Sequence, residues 1–136
     1  MTTTELLEIL NQESNISLDE LLKKIPDLTF VHYIDTILER ENISKSQIIK
    51  KTTLERTYAY QIMNGTKNPN QDKVIQLALA LRLDLNDTNR LLTLSRNKSL
   101  YPKIKRDALI IYCLKNHYSV MQTNDLLDEY HFQILD

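Results

Sequence analysis

The chain of 136 residues is long enough for one domain of ordinary size, and its 42% apolar residues are enough to form a buried core. No apolar run approaches the roughly 20 residues of a membrane-spanning helix, and the N-terminus lacks the basic-then-apolar order of a secretory signal. We therefore expect a cytoplasmic protein without a membrane partner. A single glycine leaves few positions for tight β-hairpins or glycine-rich phosphate loops, which indicates an all-α fold.

The net charge of −1 conceals a strong asymmetry along the chain. Residues 1–43 hold nine acids and three bases, a net of −6, whereas residues 44–73 hold six bases and two acids, a net of +4. Residues 74–136 carry a net of +1, and their bases cluster at 96–106. A polyanion would therefore approach the middle of the chain and be repelled by its front.

Capping residues, together with apolar residues at three- and four-residue steps, divide the chain into helices. A Ser or Thr followed three residues later by Glu or Gln predicts a capping box at Thr2, Ser17, Ser44 and Ser119. These signals predict the following helices in chain order: one from Thr2, one over 18–25 that ends at Pro26, one over 29–42, a short one after Ser44 that breaks at Thr52 and Thr53, one over 55–64, one from Asn70 to Leu83, one from Asn86 or Asp87 to Arg96, one over 103–116, and one from Ser119 to Phe132.

The only glycine, Gly65, directly follows the helix predicted over 55–64 and is followed in turn by Pro69. Glycine adopts a positive φ freely and proline cannot continue a helix, so the two residues together mark a helix end. The helix that ends here is the one that we expect to carry the function.

Two short helices around Thr52 and Thr53, followed by Asn-Gly-x-Lys and a longer apolar helix, are typical of a helix-turn-helix unit. Residues 44–69, SKSQIIKKTTLERTYAYQIMNGTKNP, resemble the centre of the phage-repressor-like (Xre, or Cro/C1) helix-turn-helix family. The resemblance covers about 30–96. It implies a helix-turn-helix domain of about five helices over 29–98, with an N-terminal helical extension over 1–28 and a C-terminal helical segment over 99–136.

The helix predicted over 55–64 has two different faces. Ala59, Ile62 and Met63 lie at i, i+3 and i+4, so they share the face that should pack on neighbouring helices. A helix fits the major groove of DNA, where arginine pairs with guanine, glutamine pairs with adenine and threonine touches the thymine methyl group. The family commonly uses the positions of Arg56, Thr57 and Gln61 for this. The side chains expected to contact bases are Arg56, Thr57, Tyr60 and Gln61.

Phosphate contacts are implied by the same resemblance. Asn64, Thr66 and Lys67 match the loop that holds phosphates, and Lys45 matches the start of the preceding helix, which also faces the DNA backbone. Tyr58 is a further phosphate candidate. Two alternatives remain open for Tyr58 and Tyr60: their hydroxyls contact phosphate, or their rings cover the edge of the domain.

Three positions differ from the family pattern. Thr53 stands where the turn usually has glycine, and Ile49 stands where a small residue usually packs beneath the turn. Met63 stands where a glutamate usually precedes the loop glycine by two residues. These differences could change the geometry of the turn and the way in which the following helix is held.

The C-terminal segment contains seven consecutive apolar or aromatic residues, 108–114. A helix that is apolar all round has to be covered on every side, so this run forms either the core of a C-terminal subdomain or a dimer contact. Repressors of this kind bind two half-sites about one turn of DNA apart, which requires a dimer. We favour a homodimer through the C-terminal helices, with an intrachain core as the alternative.

Residue types that carry catalysis or bind metals do not cluster in the sequence. His32, His117 and His131 have no second ligand at helical spacing, so we expect no zinc site and interpret each as a partly exposed helix residue. No carboxylate pair and no nucleophile with a neighbouring base stands out, so we expect neither an enzyme nor a cofactor. Cys113 is the only cysteine and is interpreted as a small buried apolar residue.

These observations together predict a sequence-specific, double-stranded DNA-binding transcriptional regulator of the repressor type. The alternative belongs to a different class: a helix-turn-helix adaptor that docks a partner protein instead of DNA. Its docking surface would be the acidic N-terminal helices or the basic segment 96–106. Salt-dependent binding to duplex DNA distinguishes the two functions.

Overall fold

A computed structural model describes residues 2–11, 17–25 and 28–136, and these residues form nine α-helices and no strand. The prediction of an all-α fold is confirmed. The helices are, in chain order, α1 (Thr3–Asn11), α2 (Leu18–Lys24), α3 (Phe30–Glu41), α4 (Lys45–Ile49), α5 (Arg56–Met63), α6 (Gln71–Ala80), α7 (Leu85–Leu94), α8 (Lys105–Lys115) and α9 (Val120–Glu129).

The predicted caps begin most of these helices. Ser44 and Ser119 each accept a hydrogen bond from the backbone N–H three residues on. The side-chain oxygens of Gln47 and Gln122 accept from the backbone N–H of the cap residue, so both capping boxes are complete. The helices α1 and α2 also begin at the predicted Thr and Ser caps. The predicted end of the second helix at Pro26 lies outside the described residues.

One hydrophobic core takes side chains from every helix between α3 and α9. Its centre is α6, in which residues 74–80 are all buried and which contacts α4, α7, α8 and α9. The buried face predicted for the helix over 55–64 is confirmed, because Ala59, Ile62 and Met63 have no exposed surface. The opposite face of α5 therefore points outward.

The C-terminal helices add to this same core. The helix α8 contacts α6, α7 and α9 and buries Ile110, Cys113 and Leu114, so the burial predicted for Cys113 is confirmed. Within the single chain this helix is not covered on every side, because Tyr112 is 55% exposed, and its coverage by a second copy stays a prediction. The helix α8 packs inward on one side only, and its other side faces a groove beside α9.

Five helices are followed by a non-glycine residue in the left-handed conformation. These residues, with φ between 52° and 64°, are Asn42, Arg82, Arg96, His117 and His131. In each case the N–H of the next residue donates to the carbonyl five residues earlier, as Leu83 N–H does to Ala78 at 3.0 Å. This is the Schellman arrangement, which satisfies the last carbonyls of a helix.

These left-handed residues end several helices earlier than the sequence predicts. The helix α6 ends at Ala80 and not at Leu83, α7 ends at Leu94 and not at Arg96, and α9 ends at Glu129 and not at Phe132. For the same reason two of the three histidines are exposed residues just after a helix, whereas all three were expected within helices.

The start of α7 also differs from the expectation. It is capped by Asp84, whose Oδ1 accepts a hydrogen bond from Asp87 N–H at 2.8 Å, and not by Asn86 or Asp87. An aspartate three residues ahead of this N–H forms the usual cap geometry, so the helix begins at Leu85.

Candidate nucleic-acid interface

The turn between α4 and α5 is fixed by a buried side chain from α6. Gln76 has no exposed surface, its Oε1 accepts a hydrogen bond from Thr53 N–H at 2.8 Å, and its Nε2 donates to the Thr53 hydroxyl at 2.8 Å. Thr53 is not among the residues with positive φ, so this turn does not require glycine at that position. The first difference from the family pattern is thus accommodated by a side-chain bond from the core.

The other two differences are accommodated by burial. Ile49 is 7% exposed and Met63 is fully buried, and both belong to the hydrophobic core. A glutamate at the position of Met63 would place a charge among apolar side chains, which is costly without a partner. An apolar residue therefore suits this site, and α5 is held to the core by packing on this face.

The first turn of α5 is capped by Glu55, a residue predicted from the sequence to lie inside the helix. Its carboxylate accepts hydrogen bonds from Thr57 N–H at 3.0 Å and Tyr58 N–H at 2.8 Å. These two backbone bonds lower the pKa of Glu55, because they stabilise its charged form. An exposed negative charge consequently lies at the start of the helix that carries the expected base contacts.

The outward face of α5 carries all four side chains that the sequence assigned to base contacts. Arg56 and Thr57 are exposed, while Tyr60 and Gln61 are half-buried. The Arg56 guanidinium lies over the Tyr60 ring, 5.7 Å from its centroid, a distance within the range of cation–π attraction. This contact holds a long cationic side chain against the surface of the helix.

The loop after α5, residues 64–70, has an ordered start. Gly65 has φ +88°, and a Cβ added there would lie 3.0 Å from Val31 Cγ2, so both backbone angle and space favour glycine. Asn64 Oδ1 accepts hydrogen bonds from the Thr66 N–H at 3.0 Å and the Thr66 hydroxyl at 2.6 Å. The three residues that the resemblance assigns to phosphate contacts in this loop, Asn64, Thr66 and Lys67, are all exposed.

Two further phosphate candidates have partners within the chain. Lys45 Nζ lies 3.7 Å from Asp35 Oδ1 in a partly exposed ion pair. Such pairs contribute little to stability, so a phosphate can compete with Asp35 for this lysine. Tyr58 is half-buried with the Lys73 ammonium 5.7 Å from its ring centroid. Both Tyr58 and Tyr60 pack against the core with part of their surface exposed, so both alternatives for these rings stay predictions.

No protein-family model, curated protein or solved structure matches this chain. Within the described ranges, 2–11, 17–25 and 28–136, no helix is both long and apolar enough to cross a membrane. In the same part of the chain, no three His, Cys, Asp or Glu side chains are grouped as metal ligands would be.

Proposed function

We propose that this protein is a sequence-specific, double-stranded DNA-binding transcriptional regulator that acts as a repressor. The observation that carries the proposal is the contrast between the two faces of α5. One face is fully buried, and the other presents Arg56 and Thr57 to solvent beside a loop with an exposed Lys67. The stretch 44–73 that contains them has a net charge of +4.

In the proposed complex α5 enters the major groove. Arg56 donates two hydrogen bonds to guanine, Gln61 pairs with adenine, and Thr57 contacts a thymine methyl group. The loop 64–70 and the start of α4 lie on the DNA backbone, where Lys67 and Lys45 contact phosphates. Repression is the mode of action implied by the resemblance of residues 44–69 to the phage-repressor-like family.

The proposal includes a homodimer formed through the C-terminal helices. A groove of about 730 Å³ lies between α8 and α9, and its lining is mostly apolar and aromatic. Tyr112 and Tyr130 on its walls are 55% and 61% exposed, which is a large apolar surface for two neighbouring rings. A second copy packing on this surface would bury it, and the proposed dimer would carry one α5 helix for each of two half-sites.

A second candidate function is supported by the N-terminal helices. Leu7 and Leu10 of α1 and Leu18 and Leu22 of α2 are all more than half exposed, on helices that carry acidic residues. The helix α1 carries acids and no base, whereas Asp19 and Glu20 of α2 are balanced by Lys23 and Lys24. The exposed leucines of α1 in particular are suited to a partner protein with a basic-rimmed apolar groove. In this alternative the chain is an adaptor, and α5 is a structural corner that does not contact DNA.

Selection of bound sites from a pool of random duplexes tests the proposal. We expect enrichment of a palindromic site whose half-sites are about one helical turn apart, with affinity that falls as salt rises. The double variant Arg56→Ala, Gln61→Ala is the control, and it should enrich no defined site. Recovery of an unenriched pool by the unaltered protein, with no salt-dependent duplex binding, would instead favour the adaptor.

A further inference from the structure

We infer that residues 95–98, directly after α7, form a second phosphate-contacting segment that extends the DNA contact beyond the loop after α5. This inference rests on the proposed function. It assigns Arg96 and Lys98 to the DNA backbone, whereas the sequence alone left the basic segment 96–106 as a surface for a partner protein. Both side chains are exposed, and neither forms an ion pair with any described residue.

Three side-chain hydrogen bonds join this segment to the loop 64–70 and the start of α6. Asn68 Nδ2 donates to the carbonyl of residue 95 at 3.0 Å, and Asn97 Nδ2 donates to the Pro69 carbonyl at 2.9 Å. Gln71 Nε2 donates to the Lys98 carbonyl at 2.8 Å. Because these bonds join the two segments, the backbone of Arg96 and Lys98 lies beside the loop that carries Lys67.

The other basic side chains of the segment 96–106 differ in whether their charge is free to contact DNA. Arg106 is half-buried, pairs with Asp72 at 3.2 Å and donates to the Gln133 carbonyl at 3.0 Å. Its charge is therefore used within the fold. Arg96 and Lys98 are the exposed basic residues next to the three hydrogen bonds that join the two segments. The inference is therefore limited to these two residues.

The backbone conformation of Arg96 allows a sharp test of this inference. Arg96 has φ 62°, a left-handed conformation in which an L side chain is disfavoured and glycine is not. The substitution Arg96→Gly should therefore leave thermal stability equal or higher while it removes the positive charge.

The chain contains a matched control at Arg82. It is also an exposed arginine that follows a helix in the left-handed conformation, with φ 57°. It lies beyond the C-terminal end of α6, a helix of 10 residues, whereas the loop 64–70 precedes the N-terminal end. A helix of that length separates the two positions by about 15 Å. Arg82→Gly thus removes the same charge and the same backbone strain at a distance from the inferred contact.

The experiment measures binding to a short mixed-sequence duplex as a function of salt concentration. One phosphate contact changes the slope of log K against log salt by about 0.9. We expect Arg96→Gly and Lys98→Ala each to reduce the slope by about this amount, as Lys67→Ala should, and Arg82→Gly to leave it unchanged. Ethylation interference should identify phosphates whose ethylation blocks binding of the unaltered protein. Ethylation of the same phosphates should not affect binding of the double variant Arg96→Gly, Lys98→Ala.

The outcomes separate this inference from the proposed function. If Lys67→Ala reduces the slope but Arg96→Gly and Lys98→Ala do not, the second segment is overturned and DNA binding stands. Equal reductions for Arg82→Gly and Arg96→Gly would indicate a general effect of net charge and would also overturn it. Absence of any duplex binding by the unaltered protein would contradict the proposed function and this inference together.

Discussion

The carboxamide of Gln76 binds the backbone of Thr53, with Oε1 accepting from Thr53 N–H at 2.8 Å. Gln76 lies on α6 at the centre of the core, and Thr53 lies in the turn before α5. A fully buried amide needs its hydrogen-bond partners, since an unpaired polar group in the core is destabilising. Besides the packing of its buried face, the position of α5 thus depends on a polar side chain that lies 23 residues beyond Thr53 in the chain.

Gln76→Leu should destabilise the protein and weaken its binding to DNA. Loss of the bonds to Thr53 should reduce the free energy of unfolding by about 1–3 kcal/mol, measured by urea denaturation. Thr53→Ala should cost less, because it removes the bond to the hydroxyl and retains the bond from the backbone N–H. The double variant should show a coupling energy of at least about 0.5 kcal/mol. Strict additivity would indicate that the two residues act independently.

Arg56→Ala and Gln61→Ala should each weaken binding to the selected site far more than binding to random DNA. Base contacts provide discrimination and phosphate contacts do not, so we expect a loss of roughly 1–3 kcal/mol on the preferred site alone. The measurement is a pair of titrations with matched duplexes. Equal losses on both duplexes would show that these side chains do not contact bases.

Arg56→Lys is the control for charge at that position. Lysine keeps the positive charge and can still donate to guanine, but it lacks the planar pair of donors of arginine, so affinity for random DNA should be retained while site preference is reduced.

Glu55→Ser should strengthen binding to duplex DNA. Serine also caps a helix N-terminus, so α5 should keep its first turn when the carboxylate that accepts from Thr57 and Tyr58 is replaced. Removing a negative charge beside the phosphates should raise affinity severalfold, with a larger effect at low salt. Glu129→Ser, which removes an exposed acid at the end of α9, is the comparison. Weaker binding by Glu55→Ser would mean that this carboxylate itself contacts the DNA.

Stability at alkaline pH should depend on Tyr33, which joins α3 to α7. Its hydroxyl donates to Asp87 Oδ1 at 2.7 Å, and burial together with this bond raises the pKa of Tyr33 from 10.0 to about 12. The folded state thus favours the neutral phenol, so the stabilisation is complete below pH 10 and is lost as the pH rises through 12. Because the site is half-buried and screened by solvent, the loss in the free energy of unfolding is about 1 kcal/mol.

Thermal unfolding of Tyr33→Phe measures this effect. The variant should lose less stability than the unaltered protein between pH 10 and pH 12. Tyr101→Phe, a substitution of an exposed tyrosine, should behave as the unaltered protein does. Parallel pH profiles for all three proteins would remove Tyr33 from the alkaline transition.

Capping residues and apolar spacing in the sequence predict the helices well, but they predict where the helices end less well. The capping boxes at Ser44 and Ser119 and the buried face of Ala59, Ile62 and Met63 depend on residues within one turn of each other, so sequence spacing is sufficient to predict them. The early ends of α6, α7 and α9 depend on Schellman bonds around non-glycine residues. The residues at these positions do not signal a helix end in the sequence, as a glycine would.

The contacts that hold the candidate site together could not be predicted from spacing. Gln76 is the one polar residue in the buried run 74–80, which is a signal, but its partner in the α4–α5 turn is defined only by the packing of α6 on α4. The contact between Asn97 and Pro69 likewise joins residues that are distant in the sequence. The seven apolar residues 108–114 predicted full coverage, whereas the chain itself covers only one side of α8.

The uncovered side of α8 is the surface on which the proposed homodimer depends. The rings of Tyr112 and Tyr118 meet there edge to face, with centroids 6.0 Å apart, and Tyr130 lies on the same groove. Truncation of the C-terminal helices would be an ambiguous test, because α8 also buries Ile110 and Leu114 in the core. Substitution of exposed groove residues leaves that core intact.

Tyr112→Glu and Tyr130→Glu should therefore convert a dimer into a folded monomer. In a symmetric dimer each substitution places two charges in an apolar interface, which is costly, whereas in the monomer the carboxylate stays in water. Sedimentation should show the change in mass, and affinity should fall far more for a two-half-site duplex than for a single half-site. Tyr101→Glu, at an exposed tyrosine that does not line the groove, is the control. An unaltered protein that sediments as a monomer at high micromolar concentration would contradict the dimer directly.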